Sequence, residues 1–308
     1  MEVLNIKNTL SWSILVKSQL TYYQGEKERK IILPIVIRKS AKFNDQLKNN
    51  LRIRYEERKK NRLGVAPIHV SDILPTSCIR KQYYSRVFPE KDPISDESVH
   101  HFVRGEASEF VITQLANMGV SQADLEFSGI VAHPDIMGSD LIIELKDTVN
   151  GKRLDITDQT FRSYLRQLLY YIVITGFEKG IVSIRYNIKE LRWIRGDEHG
   201  DYYFRPKDAN IVGTESWEIS LPKQDITREI IKNEMVRRKN LFLCAIEERN
   251  PSILPRLVEP MKSKKCPSCP FYEICMDQDG ETEDARLMAL EKDLLEIPGV
   301  VYFKPSIE

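Results

Sequence analysis

The chain has 308 residues, 42% hydrophobic and 30% charged, with 46 Lys and Arg against 45 Asp and Glu. That length suits one large domain or two modest ones with a real core, and the composition excludes a largely disordered or collagen-like chain. No apolar run approaches the roughly 18 residues that a membrane helix needs.

The first stretch, MEVLNIKNTLSWSILVKSQL, is broken by polar residues and reads poorly as a signal peptide. Five cysteines do not suit a secreted disulfide framework, so a cytoplasmic protein with a metal or redox use for its thiols is expected. Charge is uneven. Residues 1–62 hold 15 Lys and Arg against 6 Asp and Glu, densest at Arg52, Arg54, Arg58, Lys59, Lys60 and Arg62. Such an arm can follow a phosphate backbone or form a solvated helix face, since Glu56 and Glu57 interrupt it.

In chain order, SWSILV and KIILPIVIRK predict a strand pair, with Pro34 calling for an edge or a bulge. Residues 41–62 predict a charged helix, and Ser71 to Arg86 a loop or short helix. Val103, Ala107, Phe110, Val111 and Leu115 fall at helical spacing within residues 99–118, ahead of Gly119. GIVAHPDIM and LIIELK predict two neighbouring strands joined at Gly138-Ser139-Asp140. Thr157 or Asp158 can cap a helix that runs to Gly176. A strand (IVSIRYNI), a hairpin (LRWIR, DYYFR) and a further strand (WEISL) precede a charged amphipathic helix over 225–249. The tail from Met276 is acidic and predicts a short helix before Pro298-Gly299. This order predicts an α/β fold, a mixed sheet flanked by helices.

Two constellations carry chemistry. In Leu141-Ile142-Ile143-Glu144-Leu145-Lys146, the Glu144 and Lys146 side chains share one face of a strand. Asp135 can join them across the turn. Two carboxylates and a lysine suit phosphodiester hydrolysis: hard oxygen donors hold Mg²⁺ or Mn²⁺, and the lysine orients water or offsets charge. The backbone carbonyl of Leu145 could be a further ligand. An E-x-K pair is also common as an exposed charge pair on half-buried strands. Here the apolar Ile142, Ile143 and Leu145 argue for burial. The second constellation is Cys266-x2-Cys269-x5-Cys275, whose thiolates can grip a zinc ion or an iron–sulfur cluster. A fourth ligand is needed. Cys78 is distant in sequence, and Cys244 reads as a core cysteine within its helix.

In order, Cys78-Ile-Arg80-Lys-Gln-Tyr83-Tyr84, Gly105-x3-Glu109, Asp135, Glu144-Leu145-Lys146, Gln167-x3-Tyr171 and the three late cysteines resemble the iron–sulfur, RecB-like branch of the PD-(D/E)XK nucleases. The CRISPR-associated exonucleases of Cas family four, AddB-type nuclease domains and the eukaryotic Dna-two helicase-nuclease belong to that branch. The likeness covers roughly residues 70–280.

The resemblance implies a restriction-endonuclease-like mixed sheet. It also implies a 4Fe-4S cluster on Cys78, Cys266, Cys269 and Cys275 that joins the two ends of the core. Mg²⁺ or Mn²⁺ on Glu109, Asp135, Glu144 and Leu145 is implied, with Lys146, Gln167 and Tyr171 completing the catalytic set. The family's helical motif usually carries histidine where this chain has Glu109. Glu106 is the substitute, with His100, His101 and His133 as displaced candidates. Gln167 and Tyr171 share a helix face with Tyr164 and can hold a phosphate or stack on a base, or they can be ordinary core. Arg80, Tyr83 and Tyr84 either line a DNA path or pack against the cysteine lobe.

The expected organisation is a basic extension (1–70), a first-cysteine segment (71–98), a nuclease core (99–224), a helix with the three-cysteine lobe (225–280) and an acidic tail (281–308). The expected activity is a metal-dependent DNA exonuclease acting on single strands or frayed ends. Its partners would be DNA and CRISPR adaptation or repair proteins. An inactive DNA-binding or scaffolding relative, and a zinc-binding nucleic-acid module, use the same residues.

Overall fold

A computed structural model describes residues 14–24, 27–37, 41–116, 119–121, 123–148, 154–187, 192–197, 200–204, 212–223, 226–257, 265–277, 282, 283 and 285. The chain divides into two compact units, Met1–Tyr55 and Glu56–Glu308, the division falling within helix α1 (Ala41–Lys60). In the first unit β1 (Ile14–Gln24) pairs antiparallel with β2 (Lys27–Ile37), as the alternation of apolar stretches predicts. Pro34 sits inside β2 opposite Lys17. A two-stranded ladder leaves each strand one open edge, so a residue without an N–H is tolerated there.

The second unit carries two sheets. One runs β12 (Val212–Ser220), β9 (Lys179–Asn187), β8 (Leu141–Thr148), β7 (Ile136–Met137), β4 (Val120–Ser121). In it β8 and β9 are parallel and the other neighbours antiparallel. The other is β3 (Ile68–His69), β6 (Ile130–Ala132), β5 (Leu125–Phe127), with β3 and β6 parallel. The hairpin β10 (Arg192–Asp197) and β11 (Gly200–Phe204) forms a separate pair. The stretch GIVAHPDIM is therefore not one strand. His133-Pro134 interrupts it, β6 joins the small sheet and β7 the large one. A proline cannot donate to a ladder, so the chain changes sheet there.

Helix α5 (Gln159–Thr175) is the crossover between the parallel strands β8 and β9. Asp158 is its N-cap residue, but the carboxylate accepts from the Asp155 N–H at 3.2 Å instead of capping the helix. Gly176 ends it in the left-handed conformation (φ 72°), which glycine adopts without penalty. Gly180 on β9 has a different reason to be glycine. A Cβ there would lie 2.8 Å from Leu168 Cδ1 and 2.9 Å from Ile172 Cδ1, so its absence lets α5 press onto the sheet. Leu168, Ile172, Ile142, Val182 and Ile184 are fully buried there.

The long helix α6 (Ile226–Glu247) buries charge as well as apolar side chains: Arg228, Glu234 and Arg238 are inside. Arg228 donates to the carbonyls of Pro222 (2.7 Å), Ile172 (3.3 Å), Phe177 and Leu221. The Ile172 carbonyl belongs to the last turn of α5, where it also accepts from the Thr175 hydroxyl (3.3 Å). Arg238 does the same for Ile73 and Leu74 at the end of α2 (Val70–Ile73). Glu234 takes Arg166 through both carboxylate oxygens, Nε at 3.0 Å, and also accepts from the Tyr170 hydroxyl.

Helix α4 (Asp96–Ala116) also departs from its sequence pattern. Phe110 and Val111 are 66% and 46% exposed, whereas Val99, Ser108 and Thr113 are buried. Polar contacts orient this helix: Arg104 pairs with Asp147 of β8 (3.2 Å), and Arg185 of β9 donates to Ser108 Oγ (3.4 Å). Among the described residues no helix is long and apolar enough to cross a membrane. The expected tail helix lies outside the described residues.

Glu234→Ala strands a buried guanidinium and a buried hydroxyl at once. It is expected to cost about 3–5 kcal/mol in chemical denaturation, the range for breaking a buried pair from one side. Glu234→Gln, which keeps an acceptor oxygen, is expected to cost less.

Candidate active site

The hairpin β7–β8 sets the position of the acidic group. Ile136 pairs with Ile143, and the Gly138 N–H closes the turn on the Leu141 carbonyl at 2.9 Å. Asp135, just before β7, then faces β8, and its Oδ2 accepts from the Leu145 N–H at 2.7 Å. Glu144 is 1% exposed. Its Oε1 takes the Lys146 ammonium, while its Oε2 is buried with no hydrogen-bond partner. Lys146 Nζ also donates to Gln167 Oε1 (3.4 Å) and lies 5.3 Å from the centre of the Tyr164 ring. Gln167 Nε2 donates to the Tyr171 hydroxyl at 2.9 Å.

One hydrogen-bonded chain thus links Glu144, Lys146, Gln167 and Tyr171, with Asp135 beside it. Tyr171 is buried, so it holds Gln167 in place and is not available to stack on a base. Leu145 contributes its N–H to Asp135, a role the sequence reading missed.

Burial raises the Asp135 carboxyl to about 7, and the Glu144 carboxylate pushes the same way; Lys146 and the Leu145 N–H oppose them. Burial raises Glu144 as well, with Lys146 opposing and Glu109 adding repulsion. For Lys146 burial pulls downward, but Glu144 and Asp135 outweigh it and the net shift is upward. Lys146 is therefore a cation at neutral pH.

Glu109 on α4 reaches this group through its field, raising both Glu144 and Tyr171 after the larger effect of burial. The alternatives to Glu109 fall elsewhere. Glu106 pairs with Arg58. His100 is exposed, and His101 faces Glu97 at 3.6 Å. His133 turns away with β6, where its Nδ1 meets Asp124 (2.9 Å) and its ring stacks on His69 (5.3 Å).

The unpartnered Glu144 Oε2 tests whether a cation fits. A buried anionic oxygen without a donor is costly unless something outside the chain meets it. Hard carboxylate donors are the ligands that Mg²⁺ and Mn²⁺ take. Yet among the described residues no group of three or more His, Cys, Asp or Glu side chains is drawn tightly enough to hold a metal ion.

Cys78, Cys266, Cys269 and Cys275 lie on other segments, and among the described residues they too form no group drawn tightly enough to hold a metal ion. Cys78 caps α3 (Ile79–Val87), its Sγ accepting from the Lys81 N–H at 3.4 Å. Cys266–Ser268 form a 3₁₀ turn closed by the Cys269 N–H (2.9 Å), and Cys275 follows in helix α7 (Tyr272–Asp277). Burial pushes the Cys78 thiol up to about 11; the Lys81 N–H opposes this, and Cys275, Cys269 and Cys266 all add repulsion. The three late cysteines therefore lie within electrostatic reach of Cys78.

Tyr84 stacks on Phe271 (5.6 Å), and Arg80 Nε donates to the Leu254 carbonyl (2.7 Å). Arg80, Tyr83 and Tyr84 are buried, which excludes a DNA-lining role and makes them the packing of this lobe. Cys244 is half-buried and packs against the hydrophobic core, and its thiol donates to Glu248 Oε1 (3.1 Å).

No family model matches the sequence, and no curated protein matches it. Among solved structures, the protein SSO0001 is similar at 17% identity and a TM-score of 0.45, over 74% of this chain and 96% of its own. A phage-related exonuclease from Haemophilus somnus 129PT is similar at 12% identity and a TM-score of 0.35, over 56% of this chain and 82% of its own. Likeness at that depth decides neither fold nor activity.

Asp135→Asn keeps the oxygen that accepts the Leu145 N–H and removes the titration. An acid whose folded pKa is raised binds its proton more tightly when folded, so stability falls as pH rises from about 4 to 7. The variant is expected to flatten that slope. At pH 8 and without divalent cations it should be more stable than the native chain by about 2–4 kcal/mol, as denaturation curves would measure.

Proposed function

We propose that this protein is a metal-dependent deoxyribonuclease of the RecB-like kind, acting on single-stranded DNA or frayed ends in CRISPR adaptation or DNA repair. The observation that carries the reading is the buried Glu144 Oε2, left without a donor beside Asp135 and a lysine that stays charged.

Asp135 and Glu144 would hold the cation, with Glu109 near enough to contribute charge. The cation, when bound, supplies polarisation of the phosphoryl oxygen and a more acidic water. The chain's own residues do the rest. Lys146 is fixed by Glu144, Gln167 and the face of Tyr164, so its ammonium can orient a nucleophilic water and offset charge on the phosphoryl oxygens. Its raised pKa rules it out as a base at neutral pH. Gln167 is held by Tyr171, which removes a rotamer choice from the contact to Lys146. Glu144 and Tyr171 are buried and the rest of the group is half-buried, which strengthens the contacts that Glu144 makes.

Cys78, Cys266, Cys269 and Cys275 would hold a 4Fe-4S cluster. The electrostatic reach of the three late thiols to Cys78 supports this, and their chemistry suits iron or zinc. The cluster's part would be structural: it would close a loop that contains the whole core.

Anaerobically purified protein is expected to cut end-labelled DNA only with Mg²⁺ or Mn²⁺. Glu144→Ala and Lys146→Ala should each lose about 10²–10⁴-fold in rate, the range seen when a charge-stabilising group is removed. Metal-dependent cleavage that survives Glu144→Ala sinks the assignment of the site. The cysteines have a separate readout. Native protein should show visible thiolate-to-iron absorption, and Cys78→Ser should lose it together with thermal stability. A colourless native protein that holds zinc instead would replace the cluster by a zinc knuckle.

A further inference from the structure

Strands β9 and β12 are antiparallel neighbours, and a link of a few residues would join them. The chain instead uses residues 188–211 there, and within them folds the separate hairpin β10–β11. Among the described residues that hairpin has no third strand beside it. A lone two-stranded ladder is marginal in water, so packing within the sheet does not explain why it is there.

The register fixes where the insertion leaves the sheet. Asn187 of β9 stands opposite Val212 of β12, so residues 188–211 depart where this ladder ends. Strand β9 runs parallel to β8, with Ile184 beside Lys146 and Tyr186 beside Thr148, the last residue of β8. The departure point is three residues beyond the level of Lys146, about 10 Å along the strand. It lies at the carboxyl ends of the two parallel strands, the end outside which open sheets bind their ligands.

The residues placed there suit an unpaired strand of nucleic acid. The register sets Arg192 opposite Phe204, Trp193 opposite Tyr203 and Ile194 opposite Tyr202. Successive positions belong to alternate faces, so both faces of the ribbon carry aromatic positions. Cross-strand aromatic pairs steady a ladder, but they do not call for Arg192 and Arg195 among them. Rings on which bases stack, interleaved with arginines that meet phosphates, are how proteins hold single strands.

We propose that hairpin β10–β11 is an arm that binds single-stranded nucleic acid, its Trp193–Tyr203 pair stacking on bases outside the end of the sheet toward which Lys146 lies. The proposal rests on the nuclease reading and deepens it: the arm selects strands with unpaired bases and leads them to the group on β8. A duplex keeps its bases stacked on one another and offers the arm ring faces only at frayed ends. Trp193 and Tyr203 are binding residues and take no part at the reacting phosphate.

The test uses the full chain with Ca²⁺ in place of Mg²⁺ or Mn²⁺, so that binding is read without cleavage. Fluorescence anisotropy compares a labelled single-stranded oligonucleotide, the same length of strand built from abasic sites, and the duplex. Trp193→Val and Tyr203→Val remove a ring but keep strand propensity, whereas Trp193→Phe and Tyr203→Phe keep a ring. Each valine variant should bind the single strand about tenfold more weakly, the size of one lost base stack, and should bind the abasic strand and the duplex as the native chain does. Each phenylalanine variant should stay within about twofold of native affinity. Tryptophan emission of the native chain should fall on adding unlabelled single strand, and Trp193→Phe should remove that fall while keeping the affinity. With Mg²⁺, each valine variant should raise KM for the single strand about tenfold with little change in kcat.

Native-like affinity for the single strand in both valine variants overturns the proposal. So does an equal loss on the abasic strand, which would trace the effect to the fold of the hairpin. If cutting depends on Glu144 while binding ignores the rings, the arm fails alone. If the native chain binds the single strand but cuts nothing with Mg²⁺ or Mn²⁺, the nuclease reading fails, and the anisotropy comparison still decides the arm. If the native chain neither binds nor cuts, both fall together.

Discussion

A carboxylate buried in an inner strand of the main sheet is the constraint around which this molecule is arranged. Glu144 lies on β8 beside β9, at the point where the two-residue β7 ends and the Asp135 side chain takes the next N–H of the strand. An isolated charge there is too costly to persist. Lys146 meets it from the same strand face, but a lone lysine is itself a buried charge and has to be held. Gln167 and the Tyr164 ring, both on α5, hold it, and Tyr171 holds Gln167. The distance from α5 to the sheet therefore matters to the charge group, and Gly180 is where that distance is set. Arg228 of α6 then secures the end of α5 by taking the Ile172 carbonyl. A chain of dependence runs from one carboxylate out to the last long helix.

The same economy of buried charge explains α6. Arginine presents several donors in a fixed fork, so one side chain can satisfy carbonyls from several segments. Arg228 gathers the segment between α5 and β9 together with the end of β12, Arg238 gathers the end of α2, and Arg86 gathers the carbonyls of Gly64, Ala66 and Pro67 with the Asp72 carboxylate. These contacts join pieces far apart in sequence at points where the backbone has no ladder partner. They are polar solutions to a packing problem, and they tolerate loss of a partner poorly.

The acidic group and the cysteine group are chemically distinct. The acids and Lys146 hang on β8 and α5 and are organised by hydrogen bonds. The thiols sit at the start of α3 and in the turns near α7, where Tyr84 stacked on Phe271 brings the two chain segments together. That aromatic contact ties the segment that starts α3 to the segment that carries the late cysteines. Arg80, whose guanidinium reaches the Leu254 carbonyl, ties α3 to the segment that follows α6.

Much of this was readable from the sequence. Strand-period alternation located the β1–β2 pair, β8, β9 and the β10–β11 hairpin, and helical spacing located α4, α5 and α6. The two-residue spacing of Glu144 and Lys146 put them on one strand face, and the four-residue spacing of Gln167 and Tyr171 put them on one helix face, because those periods are properties of the backbone alone. Tertiary structure decided what periodicity does not encode. It split GIVAHPDIM between two sheets and so carried His133 away from Asp135. It buried Tyr171, Arg80, Tyr83 and Tyr84, and left Phe110 and Val111 in solvent. It turned Asp135 onto the Leu145 N–H and drew Arg86, Arg166, Arg228 and Arg238 into the interior. In each case the outcome depends on which distant segment supplies the partner, and a local pattern carries no record of that partner.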